Sequence, residues 1–270
     1  MWLTEDGIWT TVALGVLTLW MLLVAYLRRS RAQYLAACCR AALEKREAIN
    51  IGNLGGKGYS TEHEPALGTV PVNGVYGSTW RVHNLITACE LKFEAWLAMS
   101  ARGLFLTYGI PSISAVLHKT GGFDTDTKRR YADMELLIRE FNENAPDGCL
   151  HFDGQPDRAR RAIERLNAIH DKYGATILYR DMMYVLAVFM TTPYILMTSW
   201  WLSWRGLTAD EKECIYWHWV DIGSMMGLRV TDNFKSLDDV VAYKYAFERK
   251  HMRKVDSNVI VGHSTIDFFV

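Results

Sequence analysis

In DRARRAIERLNAIHDKY (157–173), Ile163, Leu166, Ile169 and Tyr173 recur at three- and four-residue intervals, the spacing of one helical face. Asn167 and His170 fall on that face, one turn apart, while Arg160, Arg161, Glu164 and Lys172 lie elsewhere. A histidine in such a stripe has two uses. Packed and hydrogen-bonded, it is an ordinary core residue, which on position alone is the commoner case. As a neutral imidazole held on a rigid helix beside an apolar slot, it is an axial ligand for haem iron.

A second histidine stands in Trp217-His218-Trp219, with Asp221 three residues on. On a helix that carboxylate orients the imidazole. His170, His218 and Asp221 together would make a two-histidine, one-carboxylate iron site. The plainer alternative is an aromatic helix packed on the core. Arg129, Arg130 and Asp133 cluster at a helix start. Such clusters are usually solvated faces, but this one could also set a cation beside cofactor propionates or bound dioxygen. No G-x-S-x-G, H-E-x-x-H or dinucleotide fingerprint occurs, so hydrolase and nicotinamide-dehydrogenase chemistry has no support. GGKG at 55–58 lacks the spacing of a phosphate loop and the hydroxyl residue after its lysine.

The elements that would position these residues are helical. ITACELKFEAWLAMSARGLFL (86–106), the stretch restarting at Pro111, and residues 127–142 and 157–173 carry helical spacing. So does a helix from about Ala209 to Gly227, with Thr208 as cap and Glu211 completing a capping box. Residues 181–202 are apolar enough to raise the question of a membrane span. Asp181, Pro193 and several Ser and Thr make a buried core helix the better reading. No strand pattern or internal repeat recurs.

Residues 8–27 are uncharged and, as a helix, span about 30 Å, the hydrocarbon thickness of a bilayer. Trp9 and Tyr26 lie near its ends, Glu5 and Asp6 precede it, and Arg28, Arg29 and Arg31 follow. The charge asymmetry puts the following chain in the cytosol, and basic residues after the apolar run argue for an anchor rather than a cleaved signal. Residues 32–49 continue the helix, and a Gly-rich loop or linker follows at 50–78. The expected division is 1–7 lumenal, 8–27 anchor, 28–80 juxtamembrane helix and linker, and 81–270 a helical catalytic domain. Thirty basic residues balance thirty acidic ones, so no net field attracts nucleic acid. Five cysteines, Cys38, Cys39, Cys89, Cys149 and Cys214, form no C-x-x-C pair and read as free thiols. Cys38 and Cys39 sit past the anchor, where palmitoylation is an alternative to a plain helical role.

FEAWLAMSARGLFLTYGIPSIS, TGGF, KRRYADMELLIREF, RAIERLNAIHDKY, MYVLAVFMTTPY, WRGLTADEKECIYWHWVDIGSMMGL and YAFERKHMRKVDSN follow in order. Over about residues 83–265 this set resembles the MpaB-type, ER-bound oxygenases of mycophenolic acid biosynthesis, which share a catalytic domain with rubber oxygenases (latex-clearing proteins). The resemblance implies an all-α chain: one N-terminal transmembrane helix, then a globin-like, multi-helix domain that binds haem b. It implies dioxygen-dependent cleavage of carbon–carbon double bonds in an apolar, isoprenoid-type molecule of secondary metabolism, at the ER membrane. It places the haem-iron ligand at His170, with Asn167 beside it. The family's RY-x-D-T pattern falls on Arg130, Tyr131, Asp133 and Met134, making Arg130 and Asp133 the expected catalytic pair and leaving Met134 where the family has threonine. The rival expectations are a non-haem iron oxygenase and a non-enzymatic member of the fold. The expected partners are the substrate, O2 and the lipid bilayer. The oligomeric state is not specified.

Overall fold

The structure is a computed structural model, and it describes residues 5–54, 102–121, 126–143, 158–197 and 205–269. Among these residues there are helices and turns but no strand. The helices are α1 (Glu5–Leu54), α2 (Pro111–Lys119), α3 (Thr127–Glu143), α4 (Arg158–Asp171), α5 (Tyr179–Met197), α6 (Ala209–Met225), α7 (Val230–Asn233), α8 (Leu237–His251) and α9 (Asp256–Phe269), with residues 102–108 also helical. Outside the described residues lie most of 86–106, the Gly-rich stretch after Leu54, residues 144–157 and 198–204, and the expected boundary at 80–81.

α1 has two characters. Its first half is the one helix, among the described residues, long and apolar enough to cross a membrane. Its side chains there face outward; Trp9 is 71% and Leu19 68% exposed. Its second half is part of the folded core. Leu35, Cys39, Ala42 and Arg46, on the i, i+4, i+7, i+11 stripe, are buried, and this half packs on α6. Cys39 is fully buried and its carbonyl accepts the Cys214 thiol at 3.8 Å. The plain helical role therefore fits Cys39, and Cys38 remains partly exposed.

α5 and α6 form the centre. α5 is buried on most sides, as a core helix must be, with Met183, Tyr184, Val188 and Met190 inaccessible. It packs on α6 and α8. α6 starts as its sequence dictates: the Thr208 hydroxyl accepts from the Glu211 N–H at 3.3 Å, and the Glu211 carboxylate accepts from the Thr208 N–H at 2.8 Å. Arg205 closes the same carboxylate with two further bonds of 2.7 and 2.5 Å. Beyond Met225 the chain turns away at Gly227, whose φ of 78° only glycine adopts without strain. There the Leu228 N–H reaches back to the Gly223 carbonyl at 2.8 Å, a Schellman closure. Gly223 also lets α6 approach its neighbours, because a Cβ there would lie 2.6 Å from Val230 and 2.7 Å from Leu186. On the other side, α3 packs against α4 and α9, and α9 against α2.

Candidate functional site

A cavity of about 590 Å³ lies among residues 102–108 and helices α2 to α6, within the size range of small-molecule and cofactor sites. Its walls are mainly aliphatic and aromatic: Leu104 and Tyr108, Ile113 and Leu117 of α2, Leu137 of α3, Ile169 of α4, Val185 and Phe189 of α5, and Trp219 of α6. Phe189 and Trp219 stack there with centroids 5.5 Å apart. A few polar groups interrupt the lining. His170, Arg130 and Asp133 are among them, and Met134 lies beside them.

The apolar stripe on α4 meets the core and the cavity as its spacing requires, but Arg161, which the spacing set elsewhere, lines the cavity as well. Ile163 is fully buried, Leu166 packs on the core, and Ile169, His170 and Tyr173 reach the cavity wall. Burial holds the His170 pKa below the ordinary histidine value, the Arg130 guanidinium lowers it further, and Asp171 opposes both. The imidazole is therefore kept neutral near pH 7, the form that can ligate a metal. Asn167 has another task. It does not line the cavity; its amide donates to the Met225 carbonyl at 3.0 Å, satisfying the end of α6 and fixing α4 against it.

α3 brings its residues in from its first turns. The Nε of Arg130 is buried with no hydrogen-bond partner. Asp133 stands at the cavity edge, 65% exposed and 4.0 Å from Arg129, which faces solvent. Tyr131 and Met134 pack with Leu104, Tyr108, Leu117 and Val261. Burial pushes the Tyr108 hydroxyl up to about 12, against the hydrogen bond it accepts from Thr265 and the charge of Arg130, so it stays protonated.

The second histidine is elsewhere. His218 is buried in α6, edge-on to Trp219 at 5.6 Å, and does not line the cavity. Asp221 is taken by Arg46 of α1, through two bonds of 2.9 and 2.7 Å. The same guanidinium lies 4.1 Å above the Trp217 ring. His170, His218 and Asp221 are not brought together, and among the described residues no group of three or more His, Cys, Asp or Glu is placed to hold a metal ion.

The family described as "ER-bound oxygenase mpaB/B'/Rubber oxygenase, catalytic domain" matches residues 91–261, more than half of the chain. The chain belongs to that family. Every residue of the cavity wall falls inside the matched segment, and the family is one of oxidoreductases. The ER-bound oxygenase mpaB of Penicillium roqueforti (strain FM164) is 31% identical over 178 residues, covering 60% of this chain and 56% of the relative. The mpaB and mpaB' proteins of Penicillium brevicompactum are likewise 31% identical over 178 residues, covering 43% and 40% of those relatives. The chain thus spans about half the length of the curated relatives it matches. No solved structure matches.

Tyr108 and Asp181 are among the wall residues not singled out as site residues from the sequence. Tyr108 follows an apolar run like many core tyrosines and carries no local mark. Asp181 does carry one, an acid set against the apolar run MMYVLAVFM, but there it served only as an argument against a membrane span.

Proposed function

We propose that this chain is an ER-anchored, haem b-dependent oxygenase that uses O2 on an apolar, prenyl-type small molecule. The reading is supported most by one observation: in a chain of the MpaB and rubber oxygenase family, a half-buried histidine kept neutral by its surroundings lines an apolar cavity beside a half-buried arginine. The fit to haem b is chemical. The macrocycle needs an apolar slot and one imidazole, and brings its own equatorial ligands. Its carboxylates need a cation such as Arg130. A bare metal ion would need several protein ligands at once.

In this reading His170 holds the iron, and the α4 backbone, tied to α6 through Asn167, fixes the ring's position. Haem b would supply activation of dioxygen and oxidative cleavage of a carbon–carbon double bond. The rest is the work of this chain's side chains. Leu104, Val185, Phe189 and Trp219 exclude water and align an apolar substrate. Arg130 steadies negative charge in the chamber, Asp133 at the rim keeps Arg129 turned outward, and the protonated Tyr108 offers a donor. The exposed apolar half of α1 would lie in the bilayer with Met1 lumenal and the helical domain, globin-like in its packing around one cofactor, cytosolic. That places the cavity near lipid-dissolved substrate.

The deciding experiment is the absorption spectrum of the purified full chain. A Soret band at one haem per chain, lost in His170→Ala, is the expected result. Iron without a Soret band would replace haem with non-haem iron, and the absence of both would remove the oxygenase reading. Microsomal protease protection tests the topology: a C-terminal tag shielded from added protease would reverse it.

A further inference from the structure

Asp181 stands in the first turn of α5, in front of an apolar helix. It is 5% exposed and lines the cavity next to Met182 and Val185. Its Oδ1 is buried and accepts no hydrogen bond. The nearest cation is its chain neighbour Arg180, whose Nε is 3.7 Å away on a side chain 57% exposed, too far for a hydrogen bond and largely hydrated. Tyr243 of α8 lies within reach of the Asp181 charge, but its hydroxyl donates to the Arg180 carbonyl at 3.4 Å. The backbone N–H of Asp181 is committed to the Leu178 carbonyl at 2.9 Å.

The other fully buried acids behave differently. Among the described residues Glu211 and Asp221 are each gripped by an arginine through two hydrogen bonds. A buried carboxylate oxygen without a donor destabilises a fold, so this one needs a partner from outside the protein, and the open chamber is where a partner arrives. Arg130, also on the cavity wall, has the complementary deficit, a buried Nε with nothing to donate to. The two form no ion pair with one another, so each is left for a ligand.

We propose that Asp181 is the acceptor of a substrate subsite, and that the cavity takes an apolar molecule carrying a hydrogen-bond donor, a hydroxyl or an amine, which it presents to this carboxylate. A metal is the poorer partner, because one carboxylate with apolar neighbours offers too few oxygen ligands. The inference rests on the cavity being the substrate chamber, as proposed above. Asp181 is then a specificity-determining residue: it selects among apolar molecules by what it would leave unpaired.

The test uses the full chain in detergent micelles and calorimetric titration with geraniol, geranylamine and geranyl methyl ether, which share one apolar body. The expected result is binding of the alcohol or the amine about 10- to 100-fold tighter than the ether, the range of a hydrogen bond to a charged group. Asp181→Leu should erase that preference while its melting temperature stays level or rises, since an unpaired buried carboxylate has been removed. Asp181→Asn, which keeps the shape and one acceptor oxygen, should retain part of the preference. If the wild-type chain binds all three probes equally, or the preference survives in a folded Asp181→Leu, Asp181 is not the acceptor, and the chamber reading stands. If none of the three binds, both readings fail.

Discussion

On α6, the polar residues near His218 are engaged inside the protein: Asp221 grips Arg46 of α1 through two bonds, and Trp217 lies under the same guanidinium. Around His170 on α4 the arrangement is the opposite. Arg130 and Asp181 share its chamber, and each carries a buried polar atom with no partner. Both regions pair a histidine with a carboxylate and aromatic neighbours, so residue type does not separate them. Pairing of the charged groups does: Arg46 spends both terminal nitrogens on Asp221, although its Nε too has no partner, whereas among the described residues Arg130 and Asp181 make no hydrogen bond through their charged groups. Polar groups that are buried and paired hold helices together; polar groups that are buried and left over beside an empty volume await a ligand.

The sharpest way to break this contrast is to truncate each histidine. His170→Ala should lose stoichiometric haem while helical content survives, whereas His218→Ala should keep haem and lose stability by about 1–3 kcal/mol through lost packing and unpaired groups. Soret absorbance and circular dichroism, followed together, separate ligation from folding. Full haem in a folded His170→Ala, with none in His218→Ala, would move the cofactor to the Trp-His-Trp helix.

The Arg46–Asp221 pair should show the other side of the contrast. Removing one partner leaves an uncompensated charge in the core, and Arg46→Ala or Asp221→Ala should destabilise by about 3–5 kcal/mol. The double variant Arg46→Met/Asp221→Leu should recover most of that loss, since it leaves no charge buried. Denaturant unfolding of the micelle-bound chain measures all three. A single variant costing less than about 1 kcal/mol would mean that this pair is a surface contact rather than the lock between α1 and the core.

The helices as far as α6 were legible from local signals: the capping box at Thr208 and Glu211, Pro111 at a start, the stripe through Ile163 and His170; α7, α8 and α9 were not singled out. The part of 181–202 that is described, as far as Met197, was readable as core because one acid and one proline spoil an otherwise membrane-like run. The Arg46–Asp221 lock was not legible, since its partners lie 175 residues apart and neither looks unusual locally. For the same reason the division at residue 28 missed that the second half of α1 packs into the core. Its stripe of Leu35, Cys39, Ala42 and Arg46 reads as an ordinary juxtamembrane helix until α6 is set beside it. Asn167 shows the converse error available to spacing alone. It shares a face with His170, but its amide is used on Met225, which sets the frame of the site without entering the cavity.

A smaller effect is expected at Met134, which lines the chamber where the family pattern has threonine. Met134→Thr shortens a side chain packed near Leu117 and Tyr131 and adds a hydroxyl on the wall shared with Arg130. Turnover of a prenylated substrate, followed by oxygen consumption, should rise by less than about tenfold, or about 1.4 kcal/mol of barrier. Equal rates for the two proteins would show that the position is irrelevant to the chemistry.

The smallest effect is in pH, and its sign follows from the chamber. The folded His170 pKa lies below the ordinary histidine value of 6.5 because burial and Arg130 both disfavour the charged imidazole. Between that lower value and 6.5 the unfolded chain binds the larger share of a proton. Stability therefore rises with pH across this window. The contribution is fully present above 6.5 and is lost as the pH falls from there toward the folded value. One group can give a slope of at most about 1.4 kcal/mol per pH unit. The other seven histidines are common to a His170→Gln variant, so the quantity to measure is the wild-type stability minus that of the variant, in haem-free protein. The difference should decline on acidification below 6.5 and be level above it. Arg130→Leu should shorten the decline, which still begins near 6.5 but ends at a higher pH, because without that neighbouring charge the imidazole titrates closer to its unfolded value. The plain outcome to look for is a smaller total loss in Arg130→Leu than in the wild type. An equal loss in both proteins would remove Arg130 from the neighbourhood of His170 and with it the contrast between the two histidine helices.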